Sequence, residues 1–315
     1  NDLLVRVPVS VIFGRSGDQS DPWVNAGKLQ NRGFDFSVTL KDSEGLFRYS
    51  LTAQLSAFRN KVRYIPQQEI INSDNTTITV KNHTIGSLYG FVAKRIITEA
   101  DFDVNGNYLY AMPASGKPAP GDLMFADLNH DGIINDLDKT IIGKPVPDGM
   151  ASLIFDGSFG NFDLYVLLNG IWNFDIFDMQ RSKLMSFESQ DMNHNKLAEY
   201  ARNYYRPGYP GTKYLRADLF NTNQNDRIST WWIEKGSFLR CREFQLGYTF
   251  KSVVSVPGQK PTIRLYAAAS NIFTITRYKG RDPEGAISAS PLNSGIDNGI
   301  YPVPRSYGIG LQFQF

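Results

Sequence analysis

The ten residues 306–315, SYGIGLQFQF, set Tyr307, Ile309, Leu311, Phe313 and Phe315 on one side of an extended chain and Gly308, Gly310, Gln312 and Gln314 on the other. Successive side chains of a β-strand point to opposite faces, so this is a strand with one wholly apolar face. A strand in a water-soluble sandwich can alternate in the same way. Ending on Phe315 with glycine and glutamine opposite fits better a strand that turns its apolar face to lipid and closes a barrel.

Upstream segments repeat the pattern. Residues 31–40, NRGFDFSVTL, alternate Phe34, Phe36, Val38 and Leu40 with Asp35, Ser37 and Thr39. After a short turn at KDSEG, residues 47–58 alternate Phe47, Tyr49, Leu51, Ala53, Leu55 and Ala57 with Arg48, Ser50, Thr52, Gln54 and Ser56. Polar residues inside and apolar ones outside suit a barrel with a water-filled or plugged lumen. SLIFDGSF and FDLYVLLNGIW meet across Gly160 and Asn161, a hairpin signal. FLRCREFQLGYTF and TIRLYAAASNIF form a further pair joined by KSVVSVPGQKP.

The connections alternate in length. Short turns are expected near 42–46, 160–161 and 251–261, and long excursions near 61–148, 177–230 and 277–304. Bacterial outer-membrane barrels put short turns at the periplasm and long loops outside, so 61–148 and 177–230 are read as extracellular loops. The strand-like SLYGFVAKRII then belongs to the first excursion and does not cross the membrane. Parity sends the final strand inward, with Phe315 at the periplasmic side. About eight crossings result, from a strand ending in DLLVRVPV to SYGIGLQFQF. With loops this long and no export signal ahead of the first strand, residues 1–315 read as the C-terminal part of a larger antiparallel barrel.

Composition is compatible with this. The formal net charge of +2 gives no electrostatic basis for binding nucleic acid. The single Cys241 excludes an internal disulfide framework and a CxxC zinc site. No apolar run approaches a membrane-spanning helix, and NDLLVRVPVS lacks the layout of a signal peptide. A transmembrane strand needs only about 9–11 alternating residues, so neither absence argues against a barrel.

Residues 127–138, DLNHDGIINDLD, have the spacing of a calcium loop: Asp127, Asn129, Asp131 and Asp138 at positions 1, 3, 5 and 12, Gly132 at 6, and the Ile133 carbonyl at 7. Calcium, in a structural role, is the cofactor expected. Asp138 replaces the usual bidentate Glu. The preceding PASGKPAPGDLMFA cannot form the entering helix of a sensor, so the ion reads as a local staple.

Taken in order, these segments resemble the SusC/RagA-type TonB-dependent outer-membrane transporters. The matching pieces are NDLLVRVPV, NAGKLQNRGFDF, GSLYGFV, PGDLMFADLNHDGIINDLDKTIIGKPVP, FDLYVLLNGIWNFDIFD, FLRCREFQLGYTF, LYAAASNIFTITRYKGRDPE and YPVPRSYGIGLQFQF. The run from Gly121 to Pro147 is the most specific. The resemblance implies a 22-stranded barrel with an N-terminal plug, of which this chain is roughly the last third. It further implies import of oligosaccharides or peptides across the outer membrane, powered by TonB with ExbB and ExbD and capped by a SusD-like surface lipoprotein.

Within that frame the loop 199–232 supplies candidate substrate contacts: Tyr200, Tyr204, Tyr205 and Tyr209 to stack on sugar faces, and Arg206 to bond hydroxyls. Trp231 and Trp232 read as an interfacial girdle. No GxSxG elbow and no HExxH motif appears, and Asp282 and Glu284 in GRDPEG read as a loop cap, so no catalytic role is assigned. The rival readings are a soluble secreted calcium-dependent β module that binds polysaccharide, and a passive porin.

Overall fold

The computed structural model describes residues 2–6, 23–186, 195–209, 213–251, 261–287 and 290–314. Among the described residues nine strands form one sheet, eight of them running through it in chain order: β1 (Asp2–Arg6), β2 (Trp23–Asp42), β3 (Phe47–Tyr64), β4 (Gly149–Phe159), β5 (Phe162–Trp172), β6 (Phe238–Lys251), β7 (Thr262–Ser270) and β8 (Ser306–Gln314), with the short strand Thr274–Thr276 pairing β6 beside them. Every neighbouring pair is antiparallel, an up-and-down meander. No helix among the described residues is long and apolar enough to cross a membrane.

Register explains why this sheet has two unlike faces. Residues directly opposite each other share a face. Following the pairing from strand to strand, Leu40, Leu51, Phe155, Val166, Phe244, Ala269 and Tyr307 form one continuous row. A parallel row runs Gly157, Leu164, Leu246, Ala267 and Ile309. Ile309 is 82% exposed, and Phe36, Leu40, Phe159, Leu246, Leu311 and Phe313 are exposed with it. An apolar surface this broad is stable only against lipid or another protein. In lipid it fits the outward band of a barrel.

The opposite face is polar. Its rows include Ser37, Gln54, Ser152, Asn169 and Arg240, and Lys41, Ser50, Asp156, Tyr165 and Gln245. Cross-strand bonds tie them: the Thr39 and Thr52 hydroxyls lie 2.9 Å apart, and Asn169 Nδ2 donates to Ser152 Oγ at 3.1 Å. Arg264 Nε donates to Asp163 Oδ1 at 2.9 Å, and Arg264 Nη2 donates to Gln245 Oε1 at 3.0 Å. Gly247 makes the Arg264–Asp163 pair possible, because a Cβ there would stand 2.5 Å from Asp163 Oδ1 and 2.7 Å from Arg264 Nε.

The long connections fold together rather than trailing from the sheet. They run from β3 to β4, from β5 to β6 and from β7 to β8. SLYGFVAKRII contributes two short strands, Ser87–Gly90 and Ala93–Ile96, that belong to small separate sheets and not to the main one. Leu88, Phe91, Leu123, Phe125 and Ile134 of the first connection pack with Phe177, Met185, Leu215 and Trp232 of the second and Ile296 of the third. Main-chain bonds cross between them: Phe91 N donates to Ile228 O at 3.0 Å, and Phe177 N to Gly295 O at 2.7 Å. The molecule is therefore a curved sheet carrying a loop assembly with its own hydrophobic core. Most of the joining segment 251–261, and Phe315, lie outside the described residues.

Candidate functional site

The 127–138 segment is a closed loop built on side chain to main chain bonds. Asp127 Oδ1 accepts from His130 N at 2.6 Å and Asp127 Oδ2 from Gly132 N at 2.9 Å. Asn129 Oδ1 accepts from Asp131 N at 3.1 Å, and Asp131 Oδ1 from Ile133 N at 2.8 Å. Gly132 has φ +82°, a backbone state that a side chain would strain, which is why glycine stands at the loop's sixth position. Asp138 is fully buried and braces both ends, accepting from Leu128 N and Asn135 N, each at 2.8 Å. The loop's carboxylates point at N–H groups, and among the described residues no three His, Cys, Asp or Glu side chains gather closely enough to form a metal cluster. Each carboxylate oxygen keeps a second lone pair beyond its N–H bond, so the donor set is compatible with an ion that also uses Asn129 and the Ile133 carbonyl.

The aromatic loop is divided by burial. Tyr200, 2% exposed, belongs to the loop core and donates its hydroxyl to Arg216 O at 3.1 Å. Burial pushes its phenol well above the ordinary range. Tyr200 is thus withdrawn from the candidate contact surface, because a ring packed on all sides cannot also stack on a ligand. Tyr205 is half-buried and donates to Glu99; burial first, then that carboxylate, pushes it up to about 12. Arg206 lies over two rings, 4.4 Å from the Tyr204 centroid and 5.7 Å from that of Tyr209. Tyr209 is 57% exposed. Tyr204, half-buried against the loop core, Arg206 and the exposed Tyr209 therefore form a cation–π stack that opens to the surface at Arg206 and Tyr209.

Two other expectations are revised or sharpened. Trp232 is 3% exposed in the loop core, with Nε1 donating to Asn225 O at 2.9 Å, and Trp231 packs against the same core, so neither belongs to an interfacial girdle. Asp282 caps the 3-10 turn Pro283–Ala286, accepting from Glu284 N at 3.0 Å. The same Asp282 accepts from Arg240 at 2.6 Å, while Glu284 pairs with Arg240 and Arg242. These carboxylates fasten the third connection to the polar face of β6, as structural ion pairs rather than a free acid and base.

No family model matches the chain. It is 28% identical over its whole length to TonB-dependent receptor P3 of Formosa agariphila, covering 31% of that protein, and 28% identical over its whole length to TonB-dependent receptor SusC of Bacteroides thetaiotaomicron, covering 29%. It also superposes over its full length on the RagAB peptide importer in the open-open state, with a TM-score of 0.74 at 18% identity, covering 31% of that chain. The chain is similar along its whole length to receptors of the SusC/RagA type. It spans about a third of the length of these relatives. The sheet accordingly matches one arc of a larger barrel. These relatives are named as receptors and an importer, not as enzymes.

One convergence of side chains has no signal in the sequence. Phe91, Lys139 and Arg227 meet at one cavity beside the 127–138 loop. Phe91 and Lys139 lie far apart in the first connection and Arg227 in the second, and no motif joins them.

Proposed function

We propose that the protein is part of an outer-membrane importer that draws oligosaccharides or peptides inward under TonB, energised through TonB, ExbB and ExbD, with a SusD-like surface lipoprotein covering the loop assembly. The observation that carries this reading is a two-faced sheet matched along its entire length by TonB-dependent receptors. An apolar face meets outer-membrane lipid and a polar face lines the lumen. The connections 65–148, 173–237 and 271–305 then face outward, the short turns inward. Oligosaccharide is the first substrate class proposed. Peptide is the second, favoured by the likeness to a peptide importer.

In this reading Tyr204, Arg206 and Tyr209 offer the substrate an exposed stack near the mouth, with Tyr205 held beside it by Glu99. Calcium is proposed at the 127–138 loop, held by Asp127, Asn129, Asp131 and the Ile133 carbonyl, with Asp138 bracing or completing the shell. It orders a segment otherwise rich in proline and glycine.

The import reading is tested by uptake of labelled oligosaccharide and peptide into cells carrying or lacking the full-length gene, with and without a protonophore. Uptake that needs both the gene and the proton-motive force is expected. Uptake that survives collapse of the proton-motive force would make the protein a porin, and release from cells without detergent would make it a soluble module. For the ion, Asp127→Ala with Asp131→Ala is expected to lower metal content and to raise protease cleavage within 120–147. Unchanged metal content and cleavage would remove calcium from the account.

A further inference from the structure

A cavity of ≈ 520 Å³ opens between the end of the 127–138 loop and the segment 221–229, with Phe91, Asn135, Asp136, Lys139, Gln224 and Arg227 on its walls. The Arg227 guanidinium lies 4.9 Å from the Phe91 ring centroid and 4.7 Å from that of Phe125. Lys139 Nζ lies 5.6 Å from the same Phe91 centroid. Two cations thus converge on one aromatic ring. The ring's quadrupole attracts each, yet it carries no net charge to neutralise them.

Counter-charge reaches Arg227 only from beyond ion-pairing distance, from Asp226 and from Asp136 on the cavity wall. Arg227 Nε donates to Gln224 O at 3.0 Å and Nη2 to Asn223 O at 2.9 Å, both neutral carbonyls. Among the described residues no carboxylate stands within ion-pairing distance of it. Burial pushes the Arg227 guanidinium down to about 10, outweighing the opposing pull of the Asp226 and Asp136 carboxylates. Lys139 does pair with Asp136 at 2.9 Å, but the lysine side chain is 12% exposed and the aspartate 84%, so the cation sits inside and its partner in water. Asn135, on the cavity wall, accepts from Leu137 N through Oδ1 at 2.8 Å. Partly buried cations are stabilised when paired and bonded, and a guanidinium with free N–H groups presents a fork that matches an oxyanion.

We propose that this cavity binds a compact oxyanion, a carboxylate or sulfate carried on a ligand the size of a monosaccharide, with Arg227 and Lys139 as the charged contacts. Asn135 and Gln224 supply neutral hydrogen bonds around it. The volume falls within the range of small-molecule sites. Because Asn135, Asp136 and Lys139 lie at or just beyond the end of the candidate metal loop, occupancy of the cavity also ties that loop to the segment 221–229. The ligand's origin as imported nutrient rests on the import reading, whereas binding itself does not.

The test is titration calorimetry on the full-length protein in detergent at low salt, with glucuronate, glucose and sodium sulfate as ligands, beside Arg227→Gln and Lys139→Gln. Glucuronate is expected to bind where glucose does not, and Arg227→Gln to weaken it by about tenfold or more, the loss of a charge-assisted bond. Lys139→Gln is expected to weaken it by about threefold or more. Sulfate binding comparable to that of glucuronate supports an oxyanion site that does not require the sugar, and sulfate binding far more weakly supports one that does. Equal binding of glucose, or undiminished glucuronate binding by Arg227→Gln, overturns the proposal. If Arg227→Gln disturbs the loop fold, Lys139→Gln decides alone, and unchanged affinity in it overturns the proposal. Energy-dependent uptake, measured separately, can fail while binding persists, which sinks the import reading and leaves this site standing.

Discussion

At the scale of single residues, Asp178 shows how burial sets a charge. Both it and Asp297, its neighbour in the short parallel pairing, are buried, and Asp178 Oδ2 has no hydrogen-bond partner among the described residues. Burial pushes its carboxyl up to about 6, with Asp297 and Glu234 adding repulsion and the bond from Arg181 N opposing them. In the unfolded chain the same group titrates near 3.8. Between those two values the folded form holds more proton than the unfolded form, so this group's contribution falls as pH rises from about 4 to about 6. Asp178→Asn keeps the oxygen that caps Met179–Met185 and removes the charge. It is expected to stabilise the loop assembly at pH 7.5 by about 1–3 kcal/mol, an advantage that shrinks to nothing by about pH 4. Hydrogen exchange of residues 173–186 at both pH values measures it, and an advantage independent of pH would refute the assignment. Residues of this kind were not legible in the sequence. Asp178 looks like any helix cap, and only its burial in the fold, with Asp297 and Glu234 beside it, changes its chemistry. The calcium spacing was legible because all its members lie within twelve consecutive residues. The cavity of Phe91, Lys139 and Arg227 was not, because folding alone brings them together.

At the scale of elements, the alternation in 34–40, 47–57 and 307–313 was enough to place strands and faces, since a period of two survives any register. What it could not show was that the faces agree from strand to strand, which depends on pairing. The register supplies that agreement, and it makes a sharp comparison possible. Val166 lies in the apolar row between Phe155 and Phe244, whereas Ser50 lies in the polar row between Lys41 and Asp156. An arginine on the lipid face costs about 2–4 kcal/mol near the bilayer midplane, while lumen positions tolerate charge. Val166→Arg in the full-length protein is therefore expected to lower resistance to urea by about that amount, and Ser50→Arg, beside the Asp156 carboxylate, by under about 1 kcal/mol. Unfolding in lipid vesicles, followed by heat-modifiable mobility on gels, measures both. Equal losses in the two variants would mean that the faces are assigned wrongly.

At the scale of the whole molecule, the sheet and the loop assembly obey different solvents. The sheet buries little side-chain surface within itself and turns its apolar face outward, as lipid requires. The loop assembly hides its apolar residues in an ordinary water-excluding core, with Phe174, Ile176, Phe238, Tyr278 and Ala286 forming a second cluster where it meets β6. That core lacked a visible period because it is assembled from short strands and turns of three connections. Trp232 stands at its centre, and truncating a buried aromatic costs about 3–5 kcal/mol. A cost of that size exceeds what local opening of a loop region requires, but it acts on contacts the lipid-facing strands do not share. Trp232→Ala is thus expected to expose 65–148 and 173–237 to protease while the full-length barrel keeps its β-sheet circular dichroism and its heat-modifiable mobility. Trp232→Phe, which keeps the ring but loses the bond to Asn225 O, should open the same segments far less, at a cost of about 1 kcal/mol. If barrel and loops instead lose stability together, the two are one cooperative unit, joined by the cluster around Phe238 and by the ion pairs from Arg240 and Arg242 to Asp282 and Glu284.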